Sequence, residues 1–232
     1  EGPQRIEQGA FLLGLAWPHF PAGAVHVVVV DPEVGTDRRT IALATPTATF
    51  VGPDNGVLSA ALPDDAREGV PGMGHPVSLP AGTVAHLLTN EEFHRGPVSA
   101  TFHGRDIFAP VAAHLSRGVR LTELGPAVSK IIALPPFRAR LQPDGSLVGR
   151  VMHVDHFGNL VTNVRAEQLP VPPLLVEIHG RRIEGLSLTY GRGEGILALI
   201  GSSGLLEVAI RQGSAARDLE AGIGEPIMIR SA

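Results

Sequence analysis

Val25-His26-Val27-Val28-Val29-Val30-Asp31 is the stretch on which the reading of this chain turns. Four consecutive valines, Val27 to Val30, show no polar alternation, and an uninterrupted β-branched run predicts a strand buried on both faces of a parallel sheet. The run stops at Asp31, and Arg38 follows seven residues later. Ligands of open α/β sheets bind beyond the carboxyl ends of the strands, so a carboxylate there is well placed for chemistry. A second segment repeats the layout: Val98 to Phe102 reads as a short strand that runs through His103 into a helix.

Outward from these segments, the pattern on the amino-terminal side is α/β. Ile6, Ala10, Leu13 and Trp17 recur at helical spacing, and Pro18 and Pro21 close that helix. Arg39–Leu43 and Thr49–Val51 read as strands, Gly52-Pro53-Asp54-Asn55-Gly56 as a turn into a short helix over Val57–Leu62, and 63–76 as a surface loop. Helices are expected over Val84–Leu88 and Ile107–Ser116, the second with Asp106 as N-cap and Gly118 as stop. After Leu134-Pro135-Pro136 the pattern changes to short strands between glycines and prolines: Arg150–Asp155, Leu160–Asn163, Leu174–His179, Ile196–Ile200, Leu205–Ile210 and Pro226–Ile229. The expected architecture is an α/β domain over 1–134 with a mostly parallel central sheet, followed by an antiparallel β-barrel domain over 135–232.

Composition narrows the function. The 232 residues are 44% hydrophobic and 18% charged, which suits two domains with substantial cores and not disorder. A net charge of −4 argues against a nucleic-acid or anionic-membrane binder and leaves a small molecule as the expected partner. The absence of cysteine excludes disulfides, thiolate nucleophiles and cysteine-ligated metals. No run of apolar residues is long enough to span a membrane and no signal pattern opens the chain, so the cytoplasm is the default location.

Three constellations carry candidate chemistry. Asp31, Arg38 and His103 all lie just beyond expected strand ends; a carboxylate can hold a guanidinium by a paired bond, the guanidinium can polarise a water, and a histidine can take its proton. The same residues could equally form a turn and structural hydrogen bonds. His153-Val154-Asp155-His156-Phe157-Gly158-Asn159 invites a metal, but His156 falls on the opposite strand face from His153 and Asp155. A plain turn, or an adenine or amino-acid pocket using the Phe157 ring, the Asn159 amide and the Asp155 charge, are the alternatives. Gly201-Ser202-Ser203-Gly204 reads as a hairpin turn or as a cradle for a carboxylate or phosphate; without a lysine and a following helix it is not a Walker loop.

Taken in order, Val25 to Arg39, Gly52 to Gly56, Phe102-His103-Gly104-Arg105-Asp106-Ile107-Phe108-Ala109-Pro110, Asp155 to Asn163 and Gly201 to Glu207 resemble the S-adenosyl-L-methionine (SAM) hydrolases that form adenosine, also called SAM hydroxide adenosyltransferases, relatives of the fluorinase and chlorinase. The resemblance spans nearly the whole chain. It implies an α/β domain, a β-barrel, and a homotrimer whose active sites lie between one subunit's first domain and its neighbour's second. It implies attack of water or hydroxide on ribose C5′ with expulsion of methionine, Asp31, Arg38 and His103 as the catalytic triad, and SAM as substrate with no metal or organic cofactor.

By the same resemblance Asp155 holds the α-ammonium, Asn159 the adenine edge and Ser202 the α-carboxylate, with Ser203 beside it and Phe157 and Phe102 as further substrate contacts. Halogenases of the superfamily lack the residues found here as Asp31 and His103, which disfavours halide transfer. A binder of SAM or adenosine without turnover is the competing class. Family members begin with a strand bearing a Thr-Asp-Phe-Gly-like motif that clamps the ribose; nothing here matches it, so a leading segment is expected to be missing from this sequence.

Overall fold

The computed structural model describes residues 5–192 and 195–231, and the chain divides into two compact units, 1–136 and 137–232. In the first unit the elements run α1 (Ile6–Ala16), β1 (Ala24–Val27), β2 (Thr40–Ala44), β3 (Ala48–Pro53), β4 (His75–Ser78), β5 (Val84–Leu87), α2 (Ala109–Ser116), α3 (Leu121–Leu124), β6 (Ala127–Val128) and β7 (Lys130–Ala133). The main sheet has the order β1-β3-β2-β5-β6, and β4 pairs with β7 in a separate ribbon. Alternation along β2 and β3 sorts the core onto both faces of the sheet. Ile41, Leu43 and Phe50 pack with Leu13 of α1 and with Val57 and Leu58, whereas Ala42 and Val51 pack with Ile107, Phe108 and Val111.

This sheet is mixed, not mostly parallel. Among the described residues β1 and β3 are its one parallel pair, and β2–β3, β2–β5 and β5–β6 are antiparallel. The cause lies in the connections: β2 reaches β3 through the short link Thr45–Thr47, which allows only an antiparallel neighbour. Nor is the valine run buried on both faces. Strand pairing covers Ala24–Val27, Val28 adds one further bond to the Val51 carbonyl, and Val27 and Val29 are 45% and 41% exposed because β1 has a single neighbour among the described residues of this sheet.

Two other expectations change. Val84–Leu87 is a strand and not a helix: Ala85 and His86 are buried and the segment pairs in register with Ile41–Ala44. Val98–Phe102 is a loop and not a strand, because the buried Asp106 carboxylate accepts the Ser99 N–H at 2.9 Å and side-chain bonds within Ser99–Thr101 hold the backbone locally. Asp106 therefore does not cap the helix from outside; it lies within a π-helical turn, Gly104–Phe108, that leads directly into α2.

The second unit contains β8 (Arg140–Leu141), β9 (Leu147–Val154), β10 (Leu160–Arg165), β11 (Leu174–Ile178), β12 (Arg181–Glu184), β13 (Ile196–Ile200), β14 (Leu205–Ile210), α4 (Ala215–Asp218) and β15 (Pro226–Ser231). Its sheet follows the order β12-β11-β15-β9-β10-β14-β13, antiparallel throughout, with β8 paired to β9. The residue after the β12 turn, Ser187, donates its N–H to Ala198 of β13 at 2.7 Å, so the two ends of the sheet nearly close into a barrel. Period-two burial along β11 and β15 sends Val176, Ile178, Ile227 and Ile229 inward to meet Leu147, Val151, Leu160, Leu206 and Val208, while the cross-strand pair Glu177 and Met228 faces out.

Candidate active site

In the first unit the structure brings Asp31, Arg38 and His103 together. Asp31 follows Val30, and the side-chain amide of Asn55 fixes that corner by donating to the Val30 carbonyl at 2.9 Å. Asn55 belongs to the Gly52–Gly56 turn, and its Oδ1 accepts from Val57 N, so the turn motif positions the aspartate. From Asp31 the chain folds back through two tight turns, Val34 N–H to the Asp31 carbonyl and Thr36 N–H to the Glu33 carbonyl, and returns Arg38 to Asp31. Gly35 has φ +82°, and a Cβ there would collide with the Ala100 carbonyl; the absence of a side chain lets this loop lie against the segment before His103.

Arg38 bonds Asp31 through both oxygens, Nε to Oδ1 at 2.9 Å and Nη2 to Oδ2 at 2.5 Å. Both side chains are 5% exposed. The same Nη2 lies 2.6 Å from Nδ1 of His103. A guanidinium can only donate, so Nδ1 accepts, and the neutral ring carries its proton on Nε2. The Arg38 guanidinium also sits over the Phe108 ring, 5.5 Å from its centre. Burial, and then the Arg38 charge, hold the His103 pKa below the ordinary histidine value; Asp31 and Asp106 pull the other way.

Behind His103, Asp106 is fully buried and takes Arg105 on both oxygens at 2.7 and 2.9 Å, Arg95 at 3.3 Å and the Ser99 N–H. The Arg105 bond, followed by the Ser99 N–H, holds this carboxyl well below the usual carboxylate range. Arg105 also lies 4.8 Å from the centre of the half-exposed Phe102 ring.

In the second unit Asp155, Phe157 and Asn159 line one cleft of about 610 Å³, within the range of small-molecule sites. Asp155 Oδ1 accepts the N–H groups of Phe157 and Asn159, each at 2.9 Å, and Oδ2 accepts the Asn159 amide at 2.8 Å. That closed turn uses both carboxylate oxygens, and among the described residues no group of three histidines or carboxylates could hold a metal. Gly158, at φ +83°, leaves room for Ser214, and its carbonyl accepts the Ala216 N–H at 2.9 Å, which ties the turn to α4. Phe157 is 75% exposed.

The cleft wall also holds Tyr190, Gly191, Ile210, Arg211, Gln212 and Gly213, which sequence reasoning missed. Tyr190 is the chain's one tyrosine and precedes a glycine-rich stretch, a signal that could have drawn attention to it. Its hydroxyl donates to the buried Glu207 carboxylate at 2.6 Å, and burial together with that carboxylate pushes its pKa well above the ordinary phenol value. Ser202 and Ser203 form the turn of the β13–β14 hairpin and are not among the residues lining this cleft. Ser214 caps α4 by accepting the Arg217 N–H at 3.2 Å.

Two family models divide the chain between them: the SAM hydroxide adenosyltransferase N-terminal domain matches residues 2–125, and the C-terminal domain of the same family matches 149–228. The chain belongs to the SAM hydroxide adenosyltransferase family. A protein of Salinispora arenicola named (R)-S-adenosyl-L-methionine hydrolase is 38% identical over 98% of this chain and 82% of its own length. One of the same name from Thermus thermophilus is 39% identical over 98% of this chain and 84% of its own. A fluorinase of Actinopolyspora mzabensis is more distant, 24% identical over 72% of this chain and 60% of its own. Among solved structures, a conserved protein of Thermotoga maritima superposes with TM-score 0.81 at 29% identity, covering 98% of this chain and 84% of that one. Like these hydrolase relatives, this family member is an enzyme.

Proposed function

We propose that this chain hydrolyses S-adenosyl-L-methionine to adenosine and L-methionine, with Asp31, Arg38 and His103 as its catalytic residues. The observation that carries the reading is the buried Asp31–Arg38–His103 chain of hydrogen bonds, in a family member whose relatives are named for this hydrolysis. The leaving group is a neutral thioether released from a sulfonium, so it needs no acid. The barrier lies in placing an oxygen nucleophile in line with the C5′–S bond.

Binding falls to the second unit. The Phe157 ring packs beside the purine, Asn159 reads its edge, and the Asp155 carboxylate draws the α-ammonium; Ser202 and Ser203 offer hydroxyls to the α-carboxylate, and Phe102 adds an apolar contact. The reading includes a cytoplasmic homotrimer in which each active site is shared between two subunits, a state that light scattering on the purified protein tests. Since the named relatives act on the (R) form, the substrate here is the epimer inverted at sulfur, and a hydrolase for it would discard a SAM lacking the usual sulfur configuration.

The test is turnover of each sulfur epimer in ¹⁸O-labelled water. Labelled oxygen at the adenosine 5′ position, formed faster from the (R) epimer, supports the proposal. SAM binding without adenosine would replace it with a non-catalytic binder, and adenosine loss that depends on halide would replace it with a halogenase.

A further inference from the structure

The loop that carries Asp31 and Arg38 joins β1 to β2, and in the sheet order β3 lies between those two strands. β1 runs parallel to β3 and β2 antiparallel, so the loop crosses the end of β3, where the turn Gly52-Pro53-Asp54-Asn55-Gly56 leaves the sheet. Two neighbouring residues of that turn hold the two ends of the loop. Asn55 donates its side-chain amide to the Val30 carbonyl at 2.9 Å, one residue before Asp31. Asp54 holds Arg39, one residue after Arg38: its N–H donates to the Arg39 carbonyl at 2.9 Å, and its almost fully buried carboxylate pairs with the Arg39 guanidinium.

From the other side the turn is fixed by β7 and the residue after it. Asp54 Oδ1 accepts the Ile132 N–H at 2.7 Å, and Arg39 Nη2 donates to the Lys130 carbonyl at 3.0 Å. The Leu134 N–H donates at 2.6 Å to the Ser59 hydroxyl, which in turn donates to the Gly56 carbonyl. A Cβ on Gly52 would collide with the Val28 carbonyl, so the turn begins in close contact with the segment that leads to Asp31.

We propose that Asp54 and Asn55 are positioning residues that set the spacing between Asp31 and Arg38: adjacent in the chain, they hold the two ends of the intervening loop at a fixed separation. Fixing the ends also lowers the entropy cost of ordering the loop between them. The proposal rests on the hydrolase reading only for its effect on turnover. A misplacement of about 1 Å in a reacting arrangement costs about 10²-fold in rate, so a clamp outside the cluster can act on kcat without touching substrate.

Two conservative variants loosen one grip each. Asn55→Ser keeps a hydroxyl to accept the Val57 N–H, and with it the turn, but is one atom too short for the Val30 carbonyl. Asp54→Asn keeps an acceptor for the Ile132 N–H and removes the charge that holds Arg39. Each is measured by steady-state adenosine release, by urea unfolding, and by solvent exchange of the Arg38 Nε–H, which the bond to Asp31 protects. The expected result is a kcat lower by about 10–100-fold with the KM for SAM within about twofold of the parent, and Nε–H exchange faster by about tenfold. In an Arg38→Ala background, where the pair is already broken, Asn55→Ser should cost no further turnover.

Additive costs in that background overturn the proposal, and so does an unfolding midpoint that falls while kcat and Nε–H exchange stay at the parent's values. If Asp54→Asn does not fold, Asn55→Ser decides the outcome alone. A parent that releases no adenosine, with exchange still accelerated in the variants, ends the hydrolase reading and leaves the clamp standing. Unchanged exchange and kcat in the variants of an active parent do the reverse.

Discussion

The two candidate clusters differ in how far their partners lie apart along the chain. His103 meets Arg38 across 65 residues, in a cluster whose carboxylate and guanidinium are almost sealed from solvent. Asp155 meets Asn159 across four, in a turn whose neighbouring ring, Phe157, is mostly exposed. The first is a long-range arrangement of fixed charges, suited to stabilising a reacting anion in a water-poor setting. The second is a local turn beside an open cleft, suited to recognising a ligand's edge. Under the proposed function, this contrast assigns chemistry to the first unit and affinity to the second.

Substitution of Arg38 tests that division most severely. Arg38→Ala removes the link between Asp31 and His103 and should lower kcat by about 10²–10⁴ while leaving SAM binding nearly unchanged. Steady-state adenosine release combined with calorimetric SAM titration reads both quantities, and a rise in KM at constant kcat would invert the assignment. Asn159→Ala should do the opposite: KM rises by about 10–100-fold, the worth of a hydrogen bond to a charged or tightly oriented group, with kcat preserved.

Smaller effects sharpen the contrast. Tyr190→Phe takes away the hydroxyl that donates to Glu207 and leaves a mostly buried carboxylate oxygen short of a partner. The expected cost is about 1 kcal/mol of stability in urea unfolding, together with weaker SAM binding if the tyrosine shapes the cleft. A midpoint unchanged from the parent would show that the carboxylate finds another donor.

The smallest expected effect concerns His26, in the first unit but outside the site. Its ring stacks on Phe50 and meets Phe20 edge-on, its Nε2 is buried without a partner among the described residues, and burial lowers its pKa. A folded-state pKa below the unfolded value means that the unfolded chain binds the proton more readily. The His26 contribution to stability is therefore complete above the unfolded value of about 6.5 and is lost as pH falls from there toward the folded pKa. His26→Phe should remove that part of the acid-side slope, a change of less than about 1 kcal/mol between about pH 8 and about pH 5. An identical slope in the variant would assign it to other groups.

The turn at Asp155–Asn159 in the candidate site was legible because turns of this kind follow strong local rules. Asp155 and Asn159 are spaced for a turn that bonds its own backbone. The barrel strands were legible for a similar reason, since alternation along Leu174–Ile178 is the pattern of a strand with one face inward. Arg211 and Gln212 were not, because nothing local marks a residue as the wall of a cleft.

By itself, the sequence determined the family, through five motifs in order, and it pointed to Asp31, Arg38 and His103 as residues that meet. Folding alone decided what those residues do to one another. A run of valines reports a preference for extended backbone and says nothing of how many neighbours the strand acquires, so Val25–Val30 was read as buried on both faces, whereas β1, Ala24–Val27, lies at the end of its sheet among the described residues. The same limit turned Val84–Leu87 from an expected helix into a strand, since pairing with β2 outweighed local propensity. His103 shows the limit most clearly. Its identity was readable, but only a guanidinium brought to Nδ1 from 65 residues away fixes where its proton sits, because a tautomer is set by hydrogen-bond partners and those are set by the tertiary fold.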